Sequence, residues 1–174
     1  MRPDIPPLRP RTAEIVRAAR GLLEELGWEA LTMRLLAEKV GMRAPSLYNH
    51  AANKDELRTL ILTQAFLAMG DACWQAVAHE KSPAALGRAY RATARAHPHH
   101  YRLATSGPLD REALPAGLEE WAGAPFGLVT DSPTTAQALF ASFHGLAILE
   151  VDGRFPEGTD IDRLWERTAE LYSA

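Results

Sequence analysis

LTMRLLAEKVGMRAPSLYNHAANKDEL, Leu31 to Leu57, is the stretch whose reading decides the fold. Thr32 stands where a helix N-cap belongs, and Met33, Leu36, Ala37 and Val40 follow at helical spacing. Gly41 supplies the left-handed backbone needed to stop that helix and turn the chain. Pro45 suits the first turn of a second short helix, where its missing N–H has no partner to lose. Asn53 caps a third helix, and Glu56, three residues on, can reach back to the chain entering it. The pattern predicts helix, tight turn, helix, then the start of a long helix.

Working outward, the same period recurs on both sides. Ile15, Val16, Ala19, Leu22, Leu23 and Leu26 form one stripe between a candidate cap at Thr12 and a stop at Gly27. The helix opened by Asn53 carries Leu57, Leu60, Ile61, Leu67 and Ala68 and is predicted to run to about His79. Ser82-Pro83 and Ser132-Pro133 are cap-then-proline starts. The first opens a helix ending before Pro98. The second opens one that is apolar nearly all round to Val151, so it must be covered on more than one side. Residues 98–132, dense in Pro and Gly, are expected as short helices and loops. Asp160 caps a last helix with Ile161, Leu164, Trp165, Thr168, Leu171 and Tyr172 on one face. No segment alternates as a strand, so the class is all-α.

Composition sets the limits. The chain has 174 residues, 47% hydrophobic and 24% charged, enough apolar content for a packed core. Its net charge of -3 is uneven. Residues 1–58 hold ten Lys/Arg against eight Asp/Glu, and the remainder nine against fourteen. A mildly basic head on an acidic body fits nucleic-acid affinity confined to one end. The single cysteine, Cys73, rules out an internal disulfide and a Cys-based zinc site, and is expected as a small buried hydrophobe. Residues 1–11 hold four prolines and three arginines with no apolar signal-peptide core. They are expected to be a flexible arm, with a minor-groove role as the alternative. The longest nearly apolar run, Ala138–Val151, falls short of the roughly 20 residues a membrane span needs. A soluble, cytoplasmic protein with no membrane partner is expected.

The Thr32–His50 plan is a helix-turn-helix, in which one helix braces and the next enters the major groove of DNA. Ala37 faces the turn, where a bulky side chain would hold the helices apart, and Met42 and Leu47 are placed to plug the gap. The second helix carries Arg43, Ser46, Tyr48, Asn49 and His50, a high density of hydrogen-bonding groups for one short segment. Arg43, Arg34 from the preceding helix, Ser46 and Asn49 suit base edges. Thr32, Tyr48, His50 and Lys54 suit phosphate oxygens.

The ordered string closely resembles the TetR family of transcriptional regulators. It comprises Gly27, Leu31-Thr32, Leu36-Ala37, Val40-Gly41-Met42, then Ser46-Leu47-Tyr48-Asn49-His50 and Asn53-Lys54 to Leu57. Phe143-His144-Gly145-Leu146, Glu150 and Gly153-Arg154-Phe155 resemble the C-terminal signature of one subgroup. The sequence departs from the family pattern at Ala51 and Ala52, where a bulky residue and often a basic one stand. The resemblance implies a flexible arm at 1–11, a DNA-binding domain at 12–57 and a ligand-binding and dimerisation domain at 58–174. It also implies a homodimer on a palindromic double-stranded operator, and repression relieved by a small apolar effector. No cofactor, metal or catalytic residue is implied.

The aromatics are expected to be mostly core, with a subset lining a ligand cavity between helices. The candidates are Phe66, Trp74, Tyr90, Tyr101, Trp121, Phe140 and His144. His144 fits an effector contact or a satisfied interior histidine equally well. His97, His99 and His100 with Asp110 invite a metal reading, but they are expected as solvated or loop histidines, since no pair has the i, i+4 spacing of a helical metal site and no Cys helps. Two other readings stand beside this one. One is a helical protein-interaction module without DNA binding. The other is an enzyme using His144 with Glu150 or Asp152.

Overall fold

A computed structural model describes residues 1–173. The described residues are all-helical. In order the helices are α1 (Pro10–Leu26), α2 (Met33–Lys39), α3 (Ala44–Leu47), α4 (Lys54–His79), α5 (Pro83–Ala96), α6 (Pro98–Thr105), α7 (Leu118–Leu128), α8 (Pro133–Val151) and α9 (Ile161–Leu171). They fall into two compact units. The first comprises Arg2–Ala65 with His99–Leu118, and the second Phe66–Pro98 with residues 119–173.

The first unit is built on α1. Pro10, at the helix start, fixes φ and removes a donor that would be unpaired there, so α1 begins at Pro10 and its cap, Arg9, makes no side-chain bond. Thr12 therefore lies inside the helix, not at its cap; its hydroxyl meets His50 Nδ1 at 3.1 Å instead. Ile15, Val16, Ala19, Leu22 and Leu23 are buried as the stripe requires, while Leu26 faces solvent. The stripe closes one turn early because Gly27, at φ 77°, redirects the chain. Its N–H donates to Leu23 O at 2.9 Å.

α2 starts as read: Thr32 Oγ1 accepts the Leu35 N–H at 3.2 Å. The Asn53 cap also holds, accepting the Glu56 N–H at 2.7 Å. Glu56 reaches back one residue further than the usual box, to the Ala52 N–H at 2.6 Å. α4 is long and apolar enough to cross a bilayer by length and composition. However, Leu57, Ile61, Leu62, Cys73 and Val77 along it are buried in protein, as befits a core helix. Burial pushes the Cys73 thiol up to about 12, so it behaves as a hydrophobe.

His100 corrects one expectation. It is buried, not solvated, because Glu24 of α1 takes both its backbone N–H (2.8 Å) and its ring Nδ1. Arg20 Nε donates to the other ring nitrogen at 3.0 Å. The lone pair at Nε2 is thus in use, so the proton sits on Nδ1 and points at the carboxylate. Burial raises the Glu24 pKa, but the bonds from His100 and His99 outweigh it and hold it below the usual value.

In the second unit, Ser82 accepts the Ala85 N–H and Ser132 the Thr135 N–H, both at 3.1 Å. Asp160 accepts the Arg163 N–H at 2.9 Å. Leu86, Tyr90, Phe126, Leu139, Phe143 and Trp165 make the core. Gly87 lets α5 approach α8 closely: a Cβ there would lie 2.8 Å from the Phe143 ring. Arg91 of α5 then binds Glu150 of α8 at 2.8 Å and Asp162 of α9 at 2.6 Å, tying three helices at one guanidinium. The Trp165 indole N–H also donates to Glu150, at 2.9 Å. α8 is buried through Leu139, Phe143 and Ala147 but leaves Phe140 and Leu149 exposed, as α9 leaves Leu171.

Candidate nucleic-acid interface

The turn between α2 and α3 is closed by the Met42 N–H on Ala37 O at 2.9 Å, with Gly41 at φ 64°. Leu36, Ala37, Leu47 and Ala51 are buried together beneath the motif. Ala51 is 1% exposed, so this position is closed to solvent even with so small a side chain. Leu47 anchors the four-residue α3, and its neighbours Arg43, Ser46, Tyr48 and Asn49 all point to solvent. With one apolar anchor inward, the polar side chains of so short a helix have nowhere else to go.

The other candidates are placed as follows. Arg34 is exposed and paired with Glu38 one turn on, at 3.0 Å, a weak surface pair that leaves guanidinium donors available. Thr32 is exposed but spends its oxygen on the α2 cap. His50 is half-buried and fastened to Thr12 of α1. Lys54 Nζ donates to Trp28 O at 2.9 Å and lies 4.7 Å from the centre of the Trp28 ring. An ammonium has three donors, so this joint leaves two.

Sequence reasoning missed the braces that hold this surface. Arg11 of α1 donates to Val40 O at 3.0 Å, at the very end of α2. Thr12 and Trp28 fix the two ends of the segment that follows. No local signal marks them, since each bond spans 26 to 38 residues.

The candidate ligand residues lie elsewhere. Tyr101, buried, belongs to the first unit; Phe66, Trp74, Tyr90, Trp121, Phe140 and His144 belong to the second. Several pack ring on ring. Tyr90 meets Phe126 edge-on at 5.9 Å, Phe126 meets Phe140 at 5.5 Å, and Phe140 stacks on His144 at 6.2 Å. The Trp121 ring lies over Gly70, where a Cβ would come within 2.4 Å. Burial pushes the His144 pKa down. Glu150, the carboxylate a His144 enzyme would use, is committed to Arg91, Arg95 and Trp165.

A braced helix-turn-helix presenting an outward polar segment, in a chain that also carries a larger helical unit, defines the helix-turn-helix class of regulators. Residues 15–59 match the model of bacterial regulatory proteins of the tetR family, and residues 84–172 that of the tetracyclin repressor-like C-terminal domain. The chain belongs to the TetR family of transcriptional regulators. It is 30% identical over 153 residues to the HTH-type transcriptional regulator Rv0681 of Mycobacterium tuberculosis, spanning 80% of this chain and 69% of that one. It is 46% identical over 61 residues to the class A tetracycline repressor from transposon 1721 of Escherichia coli, covering 35% of this chain and 27% of the repressor. Among solved structures, the multidrug binding protein EbrR complexed with imidazole is similar at TM-score 0.68 and 26% identity, over 95% of this chain and 92% of EbrR.

Proposed function

We propose that this chain is a cytoplasmic homodimeric repressor that reads a palindromic operator and leaves it when a small apolar effector binds. The observation that carries the reading is the outward display of Arg43, Ser46, Tyr48 and Asn49 around the buried anchor Leu47. Arg43 and Arg34 address guanine, Asn49 adenine, and Ser46 either. Thr32, Tyr48, His50 and Lys54 hold phosphates. In the tautomer in which Thr12 donates to Nδ1, His50 Nε2 carries the proton and serves as a phosphate donor.

The DNA-binding domain, expected at 12–57, starts with α1 at Pro10, behind an arm of residues 1–9, and residues 58–174 form the ligand-binding and dimerisation domain. Dimerisation uses α8 and α9, whose exposed Phe140, Leu149 and Leu171 need a cover that a second copy provides as a four-helix bundle. Two α3 segments then lie about 34–36 Å apart, or a multiple, as half-sites require. The effector contacts Phe66, Trp74, Tyr90, Trp121, Phe140 and His144, all in the second unit. The likeness to a multidrug binding protein supports this part. It acts through its unequal affinity for two arrangements of the chain, and α4, which contributes to both units, carries the change.

The test is a mobility shift with the DNA upstream of the protein's own coding sequence. Native protein should retard it, and Arg43→Ala should lose about tenfold or more on the preferred site while keeping non-specific binding. A correctly folded, dimeric protein that retards this DNA no better than random duplex would refute operator recognition and favour the interaction-module reading.

A further inference from the structure

Ile5 and Leu8 of the N-terminal segment, Leu60 and Gln64 of α4, and Leu114 and Pro115 of the loop after α6 line a cavity of about 330 Å3. All its walls belong to the first unit, whereas the aromatic candidates except Tyr101 lie in the second. The volume is at the small end of known ligand pockets.

The lining states what it would hold. None of the wall residues is Asp, Glu, Lys, Arg or His, so a charged occupant would be desolvated without a counter-ion. Most of the wall is aliphatic or proline. The polar wall residues besides Gln64 are two threonines, and the Thr63 hydroxyl is already spent on Thr59 O at 2.9 Å. The Gln64 amide makes no side-chain hydrogen bond with the described residues, which leaves one acceptor and two donors at an otherwise greasy surface. Ile5 and Leu8 are half-buried although residues 2–9 form no helix, so the proline-rich segment serves as a wall.

We propose that this cavity binds a small uncharged molecule, largely apolar, with one hydroxyl, carbonyl or amide group directed at Gln64, and that the N-terminal segment closes over it. Occupancy orders residues 5–8, immediately before α1. That helix carries Arg11 on Val40 O and Thr12 on His50, so the occupant bears on the elements that brace the DNA-reading segment. The site requires neither operator binding nor an effector at the aromatic cluster.

Saturation-transfer NMR on the full chain, with benzyl alcohol, cyclohexanol and N-methylbenzamide as probes and toluene as the apolar control, tests this. At least one polar probe should bind saturably. Ala113→Trp, at an exposed wall position, should weaken it about tenfold with an unchanged melting temperature, and so should removal of residues 1–8. Gln64→Leu should weaken the polar probe about fivefold and leave toluene unchanged. Glu157→Ala, at an exposed position of the other unit, should change nothing. No saturable binding by any probe overturns the proposal. So does binding that survives Ala113→Trp but is lost in Phe140→Ala. DNA retardation by the same samples is scored separately, so the loss of one reading leaves the other standing.

Discussion

The indole N–H of Trp74 donates to the backbone carbonyl of Trp121 at 2.9 Å, and the reason lies four residues further on. Pro125 sits inside α7 and has no N–H to give the carbonyl of the residue four before it. That carbonyl belongs to Trp121, and α4 supplies the missing donor. A helix that the sequence marks for breaking is thus kept whole by a side chain 51 residues upstream of the proline.

Trp74→Phe should therefore destabilise the protein by about 1 kcal/mol, read as a lower urea midpoint, because it removes the bond to the Trp121 carbonyl. Pro125→Ala restores the intrahelical donor. In that background the cost of Trp74→Phe should shrink, so the double-mutant cycle should give a coupling of about 1 kcal/mol. Additive losses would mean that the indole bond and the proline are unconnected.

Lys54 should have two separable effects. Lys54→Met removes the bond to Trp28 O and the cation over its ring, costing about 1–2 kcal/mol of stability by denaturant titration. It should also lower the salt dependence of DNA binding by about one unit in the log–log slope, without altering sequence preference. An unchanged slope would restrict Lys54 to the joint with Trp28.

Arg91→Ala leaves Glu150, only 10% exposed at its side chain, with Arg95 and Trp165 as its remaining partners. The expected loss is about 3 kcal/mol in chemical denaturation, and Glu150→Gln should recover part of it in the double variant by removing the stranded charge. If Arg91→Ala is as stable as the native chain, the guanidinium does not hold α5, α8 and α9 together.

Acid sensitivity should come in two windows. Burial lowers the His144 pKa in the folded chain, so the unfolded chain binds that proton first. Stability should fall as the pH drops below about 6.5 and level off once the folded form also protonates. His144→Gln should flatten this window. For Glu150 burial raises the pKa, but the bonds from Arg91 and Trp165 outweigh it and leave it lowered. Its contribution is present above the ordinary carboxylate range and is lost below it, so Glu150→Gln should leave the His144 window intact. Thermal melts from pH 8 down to about 2.5 would check both, and a His144→Gln profile matching the native one would sink the first.

What could be read from the residues was what acts locally. Thr32, Asn53, Ser82, Ser132 and Asp160 announce helix starts because a cap bonds within three residues of itself. Arg43, Ser46, Tyr48 and Asn49 stand out because polar residues on a short helix must face away from its one anchor. The start of α1 is ambiguous in the residues because Pro10 and Thr12 both carry start chemistry, and the hydroxyl of Thr12 is drawn to His50. His100 was misjudged because its partners, Glu24 and Arg20, are some 76 and 80 residues away. A proline-rich composition reads the same whether a segment waves free or, as with Ile5 and Leu8, helps wall a cavity.

If α3 reads base edges as proposed, its brevity sets how much text one copy can spell. Arg43 to Asn49 is seven residues, about 10 Å at helical rise, which spans only about three base-pair steps of B-form duplex. A word that short recurs constantly in any chromosome. If the chain reads DNA as a dimer, as proposed, vocabulary comes from pairing two such words at a fixed interval, and the spacing between them holds as much of the address as the letters do.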